Sequence, residues 1–426
     1  MYTCCPISFL MALPCHPPKS LVVIINESVP SVKITSCKIM LVNIFATSRY
    51  HYERLALQLA RFTLLGKWVT ALPKSKIPFA LKQNTISYSF PLYLHLATSR
   101  YLSSYPRVPK YFEHMSNLLF DRKACSIVEK IQEGPIIGLS HNILKAGLTV
   151  QKSGLSFFCD VPIAHPQYLN QLLSNEYAQL GLPFAEINAR QVEQEMQAHY
   201  YSNHIICPSS FVKDTLVESG VPTNKISIVP YGIAPVSSRA GKNLNDKQFS
   251  TDSFSILFVG QLSTRKGLHY LLEAFNNFKH PHKHLILAGP ILFETKQILS
   301  GYCLDNVKVL GSCSKSELDY YYSNADVFVL PSLAEGLALV IGEAVSYGLP
   351  IIFTRETGAD DIISDGVEGL KVISKSSISI CDAFQRLASD CELKHKLSEL
   401  CFLKAKSLTG WNTYGEMIVK CINSLP

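Results

Sequence analysis

The order of apolar and polar positions falls into two series along the chain. Residues 39–46 (IMLVNIFA) read as a first buried strand, and a helix follows over about 50–65 with Leu55, Leu59, Phe62 and Leu65 on one face. From residue 135, short apolar runs at 136–139, 155–158, 205–207 and 226–229 alternate with helical stretches at 168–180, 189–200 and 210–219. Runs this short and continuous suit strands buried on both faces, which predicts a parallel sheet covered by helices. The second series begins at 256–259. It continues through a helix at 268–278, strands at 285–288 and 307–310, a helix at 315–322, a strand at 327–330, a helix at 337–347 and a strand at 351–354. A last helix at about 413–422, led by Trp411, puts Tyr414, Ile418 and Cys421 on one stripe and is expected to pack back on the body.

Three stretches interrupt this rhythm. Residues 1–37 hold four cysteines and several prolines with no sustained period, as in a poorly ordered extension or an upstream start before Met40. Residues 73–123 are the least regular part, with eight basic side chains against two acidic ones (Glu113, Asp121). They suit either a solvated loop or a face for an anionic or membrane-borne substrate. The polar, turn-rich stretch 233–253 reads as an interdomain linker. The expected division is therefore an extension (1–37), a first Rossmann-like domain (38–232), the linker, a second Rossmann-like domain (254–406) and a C-terminal helix (407–426).

Composition narrows the class. The chain has 426 residues, 47% hydrophobic and 17% charged, which excludes wholesale disorder and supplies two cores. Its net charge of +7 suits anionic partners. Nucleic acid is not expected as a partner, since basic runs interleaved with aromatics are missing. The 13 cysteines are dispersed without a Cys-x-x-Cys pair or zinc spacing, which reads as a reduced, cytoplasmic chain with no metal site. No apolar run reaches the ~18 residues needed to cross a bilayer. Residues 7–13 resemble a signal core but lack its basic flank and cleavage site. The histidines of HPHKH (His280, His282, His284) fall between a helix and a strand and read as a solvated turn rather than a metal tract.

The chemistry concentrates in two strand-to-helix transitions. In LPSLAEGLALVIGEAVSYGLP (330–350) a buried strand runs into a loop with Glu335 and Gly336, and a helix starts near Leu337. A helix start offers free N–H groups and partial positive charge to an anion, and Gly336 would let a ligand approach the backbone. Glu343 lies among Val340, Ile341, Ala344 and Val345, where a carboxylate needs a hydrogen-bonding partner. A ribose diol would supply two such bonds, with Gly342 making room for the ring. A structural ion pair for Glu343 and a plain turn for Glu335 are the alternatives. In VGQLSTRKG (259–267), Gly260 and Gln261 follow the strand and Arg265 and Lys266 adjoin Gly267, cations suited to a diphosphate.

Glu335 and Glu343, with seven residues between them, resemble the Glu-x7-Glu motif of retaining glycosyltransferases of family 4. VGQLSTRKGLHYLLEAF, ICPSSFVKDTLVESGVPTNKISIVPYGI, ADVFVLPSLAEG and a later DGVEG extend the resemblance over about 135–426. It implies an α/β GT-B fold, with two Rossmann-like doubly wound domains facing each other across a cleft. The first would hold the acceptor and the second a nucleotide-sugar donor, with no metal or other cofactor required. It implies that Glu343 binds ribose, and that Glu335 contacts the transferred sugar. The N–H groups of Gly336, Leu337, Ala338 and Leu339 would bind the diphosphate with Lys266. His141, after the strand 136–139, would face the donor sugar or, alternatively, serve as a helix-entry residue. Two positions depart from the pattern: Gln261 replaces the arginine that usually follows the glycine, with Arg265 in compensation, and the first loop (FATSRYHYER) lacks glycine, with either Arg49 as a substitute or a different handling of the acceptor.

The resemblance makes a transferase of hexosyl type the leading expectation, its acceptor a saccharide, a lipid-linked compound or a small molecule, with peripheral contact to an anionic membrane on the cytoplasmic face admitted. A nucleotide-sugar epimerase or phosphorylase on the same plan and a catalytically silent partner protein are the alternatives. A dinucleotide-dependent dehydrogenase is disfavoured, since no Gly-x-Gly-x-x-Gly follows a strand.

Overall fold

Seven short strands build the first sheet, and most are buried from end to end: β1 (Val42–Ala46), β2 (Leu65–Thr70), β3 (Thr85–Ser87), β4 (Ile136–Leu139), β5 (Phe157–Asp160), β6 (His204–Cys207) and β7 (Ile226–Ile228). Six more build the second: β8 (Phe254–Val259), β9 (Lys283–Ala288), β10 (Val307–Gly311), β11 (Val327–Leu330), β12 (Ile351–Phe353) and β13 (Gly369–Lys371). The structure is a computed structural model and describes residues 40–47, 49, 51–101, 107–233 and 252–424. The orders are β3-β2-β1-β4-β5-β6-β7 and β10-β9-β8-β11-β12-β13, with every pairing parallel. Both orders reverse direction beside the first strand of their domain, between β1 and β4 and between β8 and β11. Ligands of doubly wound sheets bind beyond the strand carboxyl ends at such switch points.

Each sheet is covered by helices, as short strands buried on both faces require. One apolar layer of the second domain holds Phe254, Phe258, Phe275 and Phe328. The first domain has two layers. Phe45, Phe120 and Phe157 fill one, while Ile44, Tyr52 and Trp68 fill the other. The expected C-terminal helix is Gly410–Asn423, and its Tyr414, Ile418, Cys421 and Ile422 complete this second layer. Its docking surface is thus the first domain. The chain crosses between domains where the Gly410 N–H donates to the Ile233 carbonyl (3.1 Å). A Cβ on Gly232 would collide there with the Trp411 backbone. Residues Met40–Pro426 form one compact unit. The expected extension and most of the expected linker lie outside the described residues.

Several local expectations are corrected. The segment 73–123 contains β3 and two helices, Phe90–Tyr101 and Arg107–Val128. Phe90, Tyr93, Leu96 and Tyr101 on the first of them face solvent, and this erased the polar outer face by which a helix is recognised. The first helix stops at Arg61, and LGKWVT, with Gly66 and Lys67 inside it, is β2. The run read at 155–158 is β5, shifted to end on Asp160. The helix expected from Leu337 begins at Leu339. His280 and His282 stay in a turn, where the His282 N–H donates to His280 Nδ1.

Candidate active site

The loops after β8 and β11 flank the switch point of the second sheet, so Arg265–Lys266 and Glu335 are brought together by topology. After β8 the chain passes through Gly260 and the exposed Gln261 into a single 3₁₀ turn, Thr264–Lys266. Gly267 closes the turn with φ of 70°, and a Cβ there would strike the Pro331 carbonyl of the neighbouring loop. That close approach sets the two cations against the β11 loop. Arg265 Nη1 donates to the Ala334 carbonyl at 2.7 Å and to Glu335 Oε1 at 2.5 Å. Lys266 Nζ pairs with the same oxygen.

All three side chains are largely buried. Burial opposes ionisation of Glu335, but the positive charges of Arg265 and Lys266 outweigh it and hold the carboxyl below its usual range. Burial also pushes the Lys266 ammonium down, against the pull of Glu335. Two cations share one carboxylate, so the site keeps one positive charge in excess. The ion pair anticipated as an alternative thus exists, but at Glu335 rather than Glu343.

Glu343 is half-buried, and Tyr322 donates its hydroxyl to Oε2 at 3.1 Å. Burial pushes its carboxyl up. The Tyr322 bond and Lys315 pull the other way, while Asp319 adds to the rise. Among the described residues Glu343 has no salt-bridge partner, so its hydrogen-bonding capacity is only partly used. Tyr322 was not anticipated. It is a buried residue of the helix Lys315–Asn324, just before β11.

Three positions of this loop and helix are already engaged with the protein itself. Gly336 faces the first domain rather than a ligand: its carbonyl accepts from Ser209 Oγ at 2.5 Å, and a Cβ would collide with the Pro162 carbonyl. Gly342 makes room for Ile233, not for a ring, since its Cβ would strike that side chain. Of the N–H groups assigned to an anion, that of Ala338 is already bonded to the Thr357 carbonyl at 3.0 Å. Leu337 lies beside it in the loop and Leu339 opens the helix, where first-turn N–H groups have no intrahelical acceptor. Leu333 and Ala334 complete the first domain's apolar layer, so this loop inserts between the domains. Arg49 is engaged locally, with Glu53 (2.6 Å) and the Lys76 carbonyl (3.2 Å).

His141 follows β4 at the first domain's switch point. It lines a cavity of about 720 Å³ bounded wholly by first-domain residues. Glu195 and Gln191, which sequence reasoning missed, share that cavity. Their spacing of four on the helix Ala189–Tyr201 was a legible sign of a polar stripe.

Two parallel-sheet α/β domains, each with its switch point at the strand carboxyl ends, have the architecture of the GT-B fold. Solved structures agree on the fold. That of Anabaena HepE in complex with UDP superposes with a TM-score of 0.60 at 17% identity, covering 91% of this chain and 100% of that one. Sucrose-phosphate synthase from Thermosynechococcus elongatus superposes with 0.65 at 18% identity, covering 90% and 98%. Residues 241–400 match the family model described as Glycosyl transferases group 1. An uncharacterised glycosyltransferase of Methanocaldococcus jannaschii is 26% identical over 252 residues, 56% of this chain and 63% of that protein. Together these matches support the glycosyl transferases group 1 family. The alignments with the first curated relatives span from about half to just under two thirds of those proteins' length.

Proposed function

We propose that the protein is a glycosyltransferase that moves a hexosyl group from a nucleotide-sugar donor to an acceptor held by the first domain, with retention of anomeric configuration. The observation that carries this reading is the pair of cations, Arg265 and Lys266, set against a single carboxylate at the second switch point. There they would neutralise a departing diphosphate without a metal. The acceptor oxygen forms the new bond to the anomeric carbon as the bond to the β-phosphate oxygen breaks. The electron pair leaves with the diphosphate, and the acceptor proton passes to that same oxygen. Glu335, anchored by the two cations, would stand beside the sugar and oppose its developing positive charge. Glu343 would accept from ribose hydroxyls, and Leu337 and Leu339 would donate backbone N–H groups to the diphosphate. His141 would meet the sugar from the first domain. Retention rests on the Glu-x7-Glu likeness. The similarity to a UDP-bound structure favours a uridine nucleotide.

The acceptor is a saccharide, a lipid-linked compound or a small molecule, and one surface favours membrane contact. From Arg54 to Lys110 the chain contains no Asp or Glu and nine Lys or Arg residues. On the same segment Phe79 is 89% exposed and Tyr101 79%, with Phe90 and Tyr93 more than half exposed. Exposed aromatic rings on a segment rich in basic and free of acidic residues, with Lys82 over the Phe79 ring, are complementary to an anionic lipid surface. Among the described residues no helix is long and apolar enough to cross a membrane.

A thermal-shift panel of nucleoside diphosphates and their sugars tests the donor assignment. A true donor at 100 times its Kd adds ~2.7 kcal/mol of stability. Glu343→Ala then weakens its binding in calorimetry by ~1.5–3 kcal/mol, the worth of hydrogen bonds to a charged group. Indifference of the protein to every nucleotide in the panel refutes the assignment.

A further inference from the structure

The cavity that holds His141 differs in charge from the donor site. Its volume of about 720 Å³ lies within the ~300–1,000 Å³ usual for small-molecule sites. It opens at the carboxyl ends of β4 and β5, where Ile163 and Ala164 line it directly after Pro162. The Pro162 carbonyl is the group packed against Gly336, so the cavity wall abuts the loop carrying Glu335. Glu113, Glu186 and Glu195 line the cavity, and among its described lining residues there is no Lys or Arg. Leu169, Phe184 and Ile187 give it an apolar side, as the carbon face of a sugar ring requires. Gln191 Nε2 donates to Glu195 Oε1 at 3.4 Å, and Ser140 and His141 at the end of β4 also act on that carboxylate.

We propose that this cavity is the acceptor subsite and that it takes a sugar presenting hydroxyl or ammonium groups, excluding acceptors that carry phosphate or carboxylate there. Hydroxyl and ammonium groups donate to carboxylates. A phosphate dianion would meet the Glu113 and Glu186 carboxylates at the exposed rim and Glu195 within, whose ionisation burial opposes, with no Lys or Arg in the lining to offset them. The same asymmetry sorts the two substrates: the anionic donor belongs beside Arg265 and Lys266, and the acidic cavity refuses it. The inference rests on the transferase reading but has an outcome of its own.

Saturation-transfer NMR on the full chain tests it, with methyl glycosides of glucose, galactose and mannose, with glucosamine, and with glucose 6-phosphate. At least one uncharged or amino sugar is expected to bind, and the phosphate to bind at least about tenfold more weakly. Glu113→Gln, on an exposed position that tolerates exchange, and the double variant Glu113→Gln/Glu195→Gln are expected to narrow that gap stepwise. Binding of glucose 6-phosphate equal to that of the best neutral sugar overturns the proposal, as does silence from all the sugars or an unchanged gap in the double variant. UDP stabilisation measured on the same samples separates the two ideas. Its loss in the wild type defeats the donor assignment, whereas its persistence with failed sugar selectivity defeats only the acceptor proposal.

Discussion

Glu176 offers the sharpest test of how the domains are held. It projects from the first-domain helix Pro166–Gln179, is 1% exposed, and takes all its partners from the second domain. Lys375 Nζ lies 2.8 Å from one oxygen, while Tyr270 donates to the other at 2.9 Å and His269 Nε2 approaches it to 3.2 Å. Burial alone would raise its pKa, but the bonds from His269, Lys375 and Tyr270 prevail and lower it from 4.5 to about 2. At ~1.4 kcal/mol per pKa unit this is about 3 kcal/mol of stability, comparable to the ~3–5 kcal/mol lost when one member of a buried pair is removed. Because the folded pKa is depressed, this contribution is complete above the unfolded value near 4.5 and disappears as pH falls toward 2. Glu176→Gln should therefore be less stable than wild type by about 3 kcal/mol at pH 7, with the difference vanishing near pH 2. Urea unfolding followed by circular dichroism at a series of pH values measures both. A pH-independent difference, or none at pH 7, would show that the four groups do not act as drawn.

Two further outcomes are expected. Gly336→Ala places a methyl group against the Pro162 carbonyl, which should cost ~1–3 kcal/mol and enlarge the radius of gyration in small-angle scattering while helix content stays constant; unchanged scattering and melting would show that the loop does not seat the domains. Vesicles containing phosphatidylglycerol should sediment the protein and phosphatidylcholine vesicles should not, at ~1 kcal/mol per basic residue near the surface. Phe90→Ala/Tyr93→Ala should weaken that binding, and equal affinity for both lipids would rule out the anionic surface.

Much of this architecture could be read from the chain because it depends on short-range order. Runs such as VFVL at 327–330 and ILFV at 256–259 are continuous and brief, so only a strand covered on both faces accommodates them. The strand–loop–helix segments carrying Arg265, Lys266, Glu335 and Glu343 were equally visible, because their chemistry lies within a few residues. The helix Phe90–Tyr101 was illegible for the opposite reason: its apolar side chains point outward, so periodicity no longer tracked burial.

What only the tertiary structure decided were the partners. Glycines at 336 and 342 looked like space for a ligand, yet the neighbours that need that space are Pro162 and Ile233, far off in sequence. The sequence by itself determined that Glu335 and Glu343 would flank one helix start. It could not determine that Arg265 and Lys266 would neutralise the first and leave the second to a tyrosine. A carboxylate's charge state depends on which groups chain crossings bring within a few ångströms, and no local pattern encodes that distance.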